Sequence, residues 1–398
     1  MKLSERVLKI QGSITLSIDA KAKAMKAQGE DIIGLGAGEP DLDTPDIIKQ
    51  AAKEALDKGF TKYTPVAGMM ELRQAISDRL KSEGLCYMPQ EIVVSNGGKH
   101  SLYNIFATIL NPLDEVLIPL PYWVSYPEMI QVCGGVAVFV ETDEKSGFTL
   151  DIKKIEEAIT PKTKAIVINS PSNPTGAVYT KEQLEAVAQL AQKHGFFVIS
   201  DEIYSELLYE GGPFFSIGQL PGMKEHVIIS NGMSKVFSMT GWRIGFTAAP
   251  EPIAKAMTNF QSHTTSNPNS IAQYASVAGL NEVRDEVKNM RREFDRRRTY
   301  MSEAINGIEG LSCVPPKGAF YIFMNVRGAF GKSVNGQPIH SSMDFADVLL
   351  QDQKVAVVPG IAFGNDHYVR LSYATSMENI ERAIQRLSAF MAKLQPIE

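Results

Sequence analysis

From about residue 45 to 285, short and wholly apolar runs alternate with stretches whose apolar positions recur every three or four residues. The runs are EIVVSN (91–96), EVLIPL (115–120), AVFVE (137–141), AIVINS (165–170), FFVISDE (196–202), VIISN (227–231) and RIGFTAA (243–249). Amphipathic patterns such as GMMELRQAISDRLKSEG (68–84) and KEQLEAVAQLAQKHG (181–195) lie between several of them. A strand without a polar face is buried on both faces, and helices interleaved with such strands cover a mostly parallel sheet. The pattern predicts an α/β fold: a large domain with a mostly parallel seven-stranded sheet flanked by helices. Ligands of such sheets gather at the carboxyl ends of the strands.

After about residue 270 the pattern changes. A long charged helix over 282–305 leads into GAFYIFMNV (318–326), VAVVPG (355–360) and HYVRLSYA (367–374), then a final amphipathic helix over 376–394. This predicts a smaller α+β domain. The stretch GLGAGEPDLDTP (34–45) is too rich in Gly, Pro and Asp for regular structure and reads as a lid. The expected division is 1–45 as an N-terminal arm and lid packing with the small domain, 46–285 as the large domain, and 286–398 as the small C-terminal domain.

Composition narrows the function classes. The chain has 398 residues, 44% hydrophobic and 21% charged, with a formal net charge of −5. That balance is ordinary for a globular protein and argues against general binding to nucleic acid or to an anionic membrane. It leaves room for a local basic pocket. The three cysteines, Cys86, Cys133 and Cys313, are far apart and show no metal-type spacing, which suggests reduced thiols. The N-terminal stretch is too charged for a signal peptide, and no apolar run approaches the ~20 residues of a membrane helix. The expectation is a cytoplasmic protein with neither a nucleic-acid nor a membrane partner.

Several residues at the ends of the predicted strands are candidates for chemistry. Lys235 lies in SNGMSKVFSMTGWRIGF (230–246), a stretch otherwise short of charge. A desolvated lysine near another cation loses its proton and becomes a nucleophile able to form a Schiff base; a solvated loop lysine would look the same. Asp201 ends FFVISDE, where a carboxylate is costly unless paired. It is either a cap or structural ion pair, or the partner of a protonated pyridine nitrogen. Tyr204 follows by three residues. Asn173, in NSPSNPTG (169–176), is a turn residue or an amide donor at the sheet edge. Gly97 and Gly98 in SNGGKH (95–100) allow backbone N–H groups to approach a phosphate at a helix start. Lys99 opposes the dipole of that helix, which hints at an anion nearby. Trp123 is one of two tryptophans, suited to core packing or to stacking on a flat ring. Arg370, in HYVRLSYA, shares a strand face with Ser372 and is either an edge-strand arginine or a carboxylate fork.

Taken together, GAGEPDLDTP (36–45), KYTPVAG (62–68), NGGKHSLYN (96–104), PYWVSYPEM (121–129), NSPSNPTGAVY (169–179), SDEIY (200–204), NGMSKVFSMTGWRIG (231–245) and VRLSYATS (369–376) resemble the fold-type-I pyridoxal-phosphate aminotransferases. The resemblance is to the aspartate aminotransferase family in its bacterial branch, and it spans nearly the whole chain. It implies that Lys235 binds pyridoxal 5'-phosphate covalently and shuttles a proton, and that Asp201 faces the ring nitrogen. It implies that Tyr204 and Asn173 donate to the ring's 3′ oxygen and that Trp123 stacks on the ring. Ser234, Arg243 and the backbone of Gly98 and Lys99 would hold the phosphate. Tyr63 would reach the phosphate of the other subunit of a homodimer. Arg370 would grip the substrate α-carboxylate, with the amide of Gly38 beside it. Thr15 and Lys99 match a pair that binds a side-chain carboxylate, which favours aspartate and glutamate with their 2-oxo acids.

Two departures stand out. Gln11 occupies a position where relatives acting on prephenate carry a basic residue, and Gly232 stands where some members have a phosphate-binding serine. The implied reaction is aspartate:2-oxoglutarate transamination by a ping-pong mechanism. The alternatives are a prephenate, aromatic or alanine aminotransferase, or a pyridoxal-phosphate lyase. A regulator with an aminotransferase-like domain would need a basic helix-turn-helix segment ahead of GAGEP, which begins at residue 36 and is expected to leave no room for one. The family further implies cis peptides at Leu120–Pro121 and Asn173–Pro174.

Overall fold

The computed structural model describes residues 2–8, 10, 12, 14–210 and 212–397. All seven apolar runs are strands of one sheet: β1 (Ile92–Ser95), β2 (Glu115–Pro119), β3 (Val136–Val140), β4 (Thr163–Asn169), β5 (Phe197–Asp201), β6 (Val227–Gly232) and β7 (Gly245–Ala248). Their spatial order is β1-β7-β6-β5-β4-β2-β3, and only β7 runs antiparallel to its neighbours.

Adjacent residues of these strands enter different cores. Ile92, Val94, Ile166, Ile168, Val198 and Ile229 pack into one, while Val93, Ala165, Val167, Ile199 and Ile228 pack into the other. Both faces are covered, so both must be apolar, and the two-residue alternation of a half-exposed strand is lost. Each fully buried Ile or Val contributes about 1.5–3 kcal/mol relative to exposure. The continuous runs are therefore a condition of this architecture.

The helices that bear on the site are α1 (Ile14–Ala27), α2 (Met70–Ser82), α3 (Gly98–Ile109), α4 (Lys181–His194), α5 (Ser270–Glu282), α6 (Arg284–Asn306) and α7 (Met377–Lys393). The Thr180 hydroxyl accepts from Gln183 N–H and the Gln183 side chain accepts from Thr180 N–H, which fixes where α4 begins. Helix α6 changes core along its length. Val283 and Val287 pack with the large sheet, Met290 and Phe294 with the C-terminal core.

That second core lies against a four-stranded antiparallel sheet of β8 (Ser312–Cys313), β9 (Tyr321–Asn325), β10 (Val358–Pro359) and β11 (Tyr368–Ser372), in the order β10-β11-β9-β8. Ile33 and Leu35 join it from the N-terminal segment, and Ala22 of α1 packs with Leu350 and Ala356. A three-stranded sheet of Lys332–Val334, Gln337–Ile339 and Gln395–Pro396 was not foreshadowed by the sequence pattern.

Leu120–Pro121 and Asn173–Pro174 are cis, as is Ser170–Pro171, which had not been expected. No described helix is long and apolar enough to cross a membrane.

Candidate active site

The carboxyl ends of β1, β4, β5 and β6 open into a cavity of about 470 Å³, closed on its far side by residues 36–39 and by Tyr321 and Arg370. Thr15, Gly38, Gly98, Lys99, Trp123, Asn173, Asp201, Tyr204, Ser234, Lys235, Arg243 and Arg370 all line it. Of the residues singled out in the sequence, Tyr63 stands apart: it is 91% exposed and outside the cavity of its own chain. Gln11 lies outside the described residues.

One corner is built for an anion. The turn from β1 into α3 passes through Gly97 at φ +89°, and a Cβ there would lie 2.4 Å from the Arg243 guanidinium. Only glycine leaves room for that guanidinium to lie on the loop, where it donates to the carbonyl of Asn96 at 3.2 Å and to that of Thr240 at 3.1 Å. Arg243 itself has φ +58°, the left-handed region that side chains seldom adopt, and so turns back toward α3. The opening N–H groups of α3 have no intrahelical acceptor and face the same corner with the positive end of the helix dipole. Ser234 is buried beside it.

Asp201 is 5% exposed at the end of β5. One carboxylate oxygen accepts from Tyr126 Oη at 2.6 Å and the other from the Ile203 N–H at 3.3 Å. Asn169 braces the same strand end, donating from its side chain to the Asp201 carbonyl at 3.1 Å. Burial pushes the Asp201 carboxyl up to about 6, although the Tyr126 hydrogen bond, the Ile203 amide and the Lys235 charge oppose it. Asp201 forms no ion pair among the described residues, so a cationic guest has an unclaimed partner here.

Lys235 follows β6 in the helical turn Met233–Val236. Its side chain is half-buried by exposed area, yet the amine sits deep among protein atoms and donates to the Gly38 carbonyl. Burial lowers its pKa to about 8; Glu39 opposes the shift, and Arg370 and Arg243 add to it. This is the desolvated, cation-flanked amine that the sequence predicts. The carbonyl of Gly38 faces Lys235.

Arg370 sits on β11, between β10 and β9, and is 4% exposed, so it is not an edge-strand arginine. Its guanidinium donates to Asn173 Oδ1 at 3.1 Å and to the Gly36 carbonyl at 2.8 Å, and lies 4.5 Å from the Tyr321 ring centroid. The Nε atom is buried without an acceptor. No carboxylate pairs with it among the described residues. A buried guanidinium held only by neutral acceptors keeps an unmet demand for an oxyanion. Because Asn173 Oδ1 is occupied by Arg370, its amide N–H groups remain as donors.

Lys99 places its amine 5.0 Å from the Trp123 ring centroid. Burial, and then Arg243, hold its pKa below the usual lysine range. Trp123 meets Tyr126 edge-on at 5.2 Å. The Tyr204 hydroxyl shares a hydrogen bond with that of Tyr321 at 2.9 Å, and burial pushes Tyr204 well above the usual phenol range.

The sequence reading missed Tyr126, Asn169, Tyr321 and Glu39. Tyr126, Asn169 and Glu39 lie within motifs already singled out. Tyr321 enters only through the pairing of β9 with β11, which sets it opposite Ser372. Glu39 is tied to the loop carrying Arg243 by the Thr240 hydroxyl, which donates to it at 2.7 Å.

The profile of the family "Aminotransferase class I and II" matches residues 30–387. The chain is 48% identical to the aspartate aminotransferase of Bacillus subtilis (strain 168) over 395 residues, covering 99% of this chain and 100% of that one. It is 45% identical to the aspartate/prephenate aminotransferase of Nitrosomonas europaea, covering 98% and 100%. Among solved structures, the aspartate aminotransferase from Thermus thermophilus with maleate superposes with a TM-score of 0.93 at 45% identity, over 98% of this chain and 99% of that one. A cavity with a corner suited to an anion, a buried acid, a depressed lysine and an unpaired buried arginine, on a chain matched over nearly its whole length, leaves one assignment: this protein belongs to the class I and II aminotransferases, which work with pyridoxal phosphate.

Proposed function

We propose that the chain transfers amino groups between aspartate and 2-oxoglutarate by a ping-pong mechanism. The observation that carries this reading is the unpaired, buried Arg370 fork facing a cavity that also holds Lys99 and Thr15. One fork suits an α-carboxylate, and a second cation with a hydroxyl suits a side-chain carboxylate.

The cavity fits pyridoxal phosphate in its donors and in its gaps. Ser234, Arg243 and the N–H groups of Gly98 and Lys99 would hold the phosphate, at the turn where Gly97 leaves room for the Arg243 guanidinium. Asp201 would face the ring nitrogen and Trp123 the ring plane, while Asn173 and Tyr204 would donate to the 3′ oxygen. When bound, pyridoxal phosphate supplies an aldehyde that takes up the amino group and a ring that accepts an electron pair.

The protein's own part follows from the pKa values and partners. Asp201 is held by hydrogen bonds that favour its ionised form, and a cation at its open side draws it further that way. Lys235 would hold the aldehyde through its neutral amine. Once free, Nζ serves as the general base that takes the substrate Cα proton and later returns it. With a pKa of about 8 it is matched to this exchange near neutral pH. Arg370 orients the amino acid through its carboxylate, and residues 36–39 close over the cavity and exclude water.

The same reading includes a homodimer. Tyr63 lies outside its own cavity and is almost fully exposed, as suits a side chain that serves the site of the other subunit. We also propose the division 1–45, 46–285 and 286–398, and a cytoplasmic location, in keeping with Cys86, Cys133 and Cys313, which form no disulfide among the described residues. Prephenate is the second reading, supported by the name of the Nitrosomonas relative.

The test is a set of half-reactions. The protein carrying its cofactor is mixed with each amino acid separately, and the loss of the visible absorption band is followed. Aspartate and glutamate should convert it fastest; a clear preference for alanine or phenylalanine would overturn the substrate reading. Lys235→Ala should abolish turnover, and near-normal transamination by that variant would refute the role of Lys235.

A further inference from the structure

A second cavity of about 320 Å³ lies behind the site, between α2, α5 and the start of α6. Its volume is at the lower end of the range for small-molecule pockets, about 300–1,000 Å³. The floor is apolar: Ile203, Met233, Val236, Phe246, Leu280 and Val287. The rim is charged, and unequally so. Among the described residues Arg79, Arg284, Lys288 and Arg291 line it against Glu83 and Glu206. Arg79 is already paired with both glutamates, and Lys288 with Asp285.

Arg284 and Arg291 are exposed and have no hydrogen-bond or ion-pair partner among the described residues. They are seven positions apart on α6, two helical turns on one face, with Val287 and Lys288 between them. An apolar floor beneath two unclaimed guanidinium forks matches a molecule with an apolar body and one terminal oxyanion. We propose that this cavity binds a small amphipathic carboxylate.

The position gives such a ligand access to the reaction centre without entering it. Ile203 lines both cavities. Its Cδ1 would lie 3.7 Å from a Cβ on Gly98 and 3.4 Å from one on Gly232, and its N–H donates to Asp201. The turn Met233–Val236, which carries Lys235, forms part of the same floor. The inference does not depend on which amino acid the enzyme uses.

The test is calorimetric titration of 3-phenylpropionate into the cofactor-loaded enzyme. Saturable binding at millimolar concentration is expected. The double variant R284E/R291E should weaken it by about tenfold or more, because two attractive charges become repulsive. Leu280→Trp, which fills the floor, should abolish it. Any binding at the Arg370 fork is a separate component, which Arg370→Met should remove while leaving the component sensitive to R284E/R291E unchanged. Inorganic phosphate, which has no apolar body, should give no saturable heat. Absence of 3-phenylpropionate binding, insensitivity to the charge reversal, loss of that component in Arg370→Met, or equal binding of phosphate would each overturn the proposal.

Discussion

Replacing Asp201 by Asn isolates the cost of burying a carboxylate before its cation arrives. In the folded chain the Asp201 pKa is raised from the ordinary 3.8 to about 6, chiefly by burial. A group raised in this way contributes stability below its unfolded pKa, and loses that contribution as pH rises through the folded value. Across the whole window the loss is about 3 kcal/mol, from ~1.4 kcal/mol per pKa unit. Between pH 4.5 and 7.5 about 2 kcal/mol of it should be seen. Asn cannot ionise, so wild-type apoprotein should lose that much stability relative to Asp201→Asn over this interval. Whatever the amide costs or gains at the site is independent of pH and cancels. Glu202, buried next to it and raised to about 7, is itself pushed up in part by Asp201; relieving it changes the result in the same direction. The assay is urea unfolding of both apoproteins at the two pH values. Repeating it with pyridoxal phosphate should shrink the pH-dependent difference, because the ring nitrogen then supplies the cation. A stability difference equal at both pH values would refute the claim that Asp201 is a desolvated acid awaiting a positive partner.

Three further outcomes are expected. Gly97→Ala should weaken cofactor binding at least tenfold, since alanine at φ +89° is strained and its Cβ would strike Arg243 at 2.4 Å; an unchanged dissociation constant would contradict the role of that turn. Lys99→Met should raise KM for aspartate by roughly 10–100-fold, the loss of a charge-assisted hydrogen bond, and leave KM for alanine nearly unmoved; equal effects on both would remove Lys99 from side-chain recognition. In apoprotein, acylation of Lys235 should rise with a midpoint near pH 8. At pH 7.5 about a quarter of Lys235 is then neutral, against about a thousandth of an ordinary lysine. Peptide mapping after brief labelling measures this, and a midpoint near that of exposed lysines would show the amine to be solvated.

The large sheet was legible because its strands bury both faces. Val93 and Val94 point into different cores, and neither tolerates a polar residue, so the chain advertises each strand as an apolar run. The short pairings were not legible. Gln337–Ile339 and Gln395–Pro396 have too few residues to show a period, and their partners are set by tertiary contacts. At the site, Lys235 and Asp201 stood out as charges in apolar surroundings. Tyr321 could not, because a tyrosine in an apolar strand looks like core. Only the register of β9 with β11 brings its ring to Arg370. The two readings of Arg370 were separated by the same register, which makes its strand internal.

What a sequence cannot express is how many like charges a fold will crowd together. The chain is acidic overall, at −5, yet among the described residues five cationic side chains line one cavity with two carboxylates: Lys23, Lys99, Lys235, Arg243 and Arg370 against Glu39 and Asp201. Such crowding costs stability in the empty protein and lowers the proton affinity of the amines nearest to it. It is relieved by a guest that brings several negative charges at separated points. A phosphate beside Arg243, an α-carboxylate on Arg370 and a second carboxylate near Lys99 meet that demand, and removing any one leaves a cation exposed to its neighbours. Burial chiefly makes Lys235 a usable base, and the two cations that add to its shift, Arg370 and Arg243, are the ones proposed to take the α-carboxylate and the phosphate. Neutralising Arg370 should therefore raise the Lys235 midpoint as well as weaken aspartate binding, and finding either change without the other would separate the two roles.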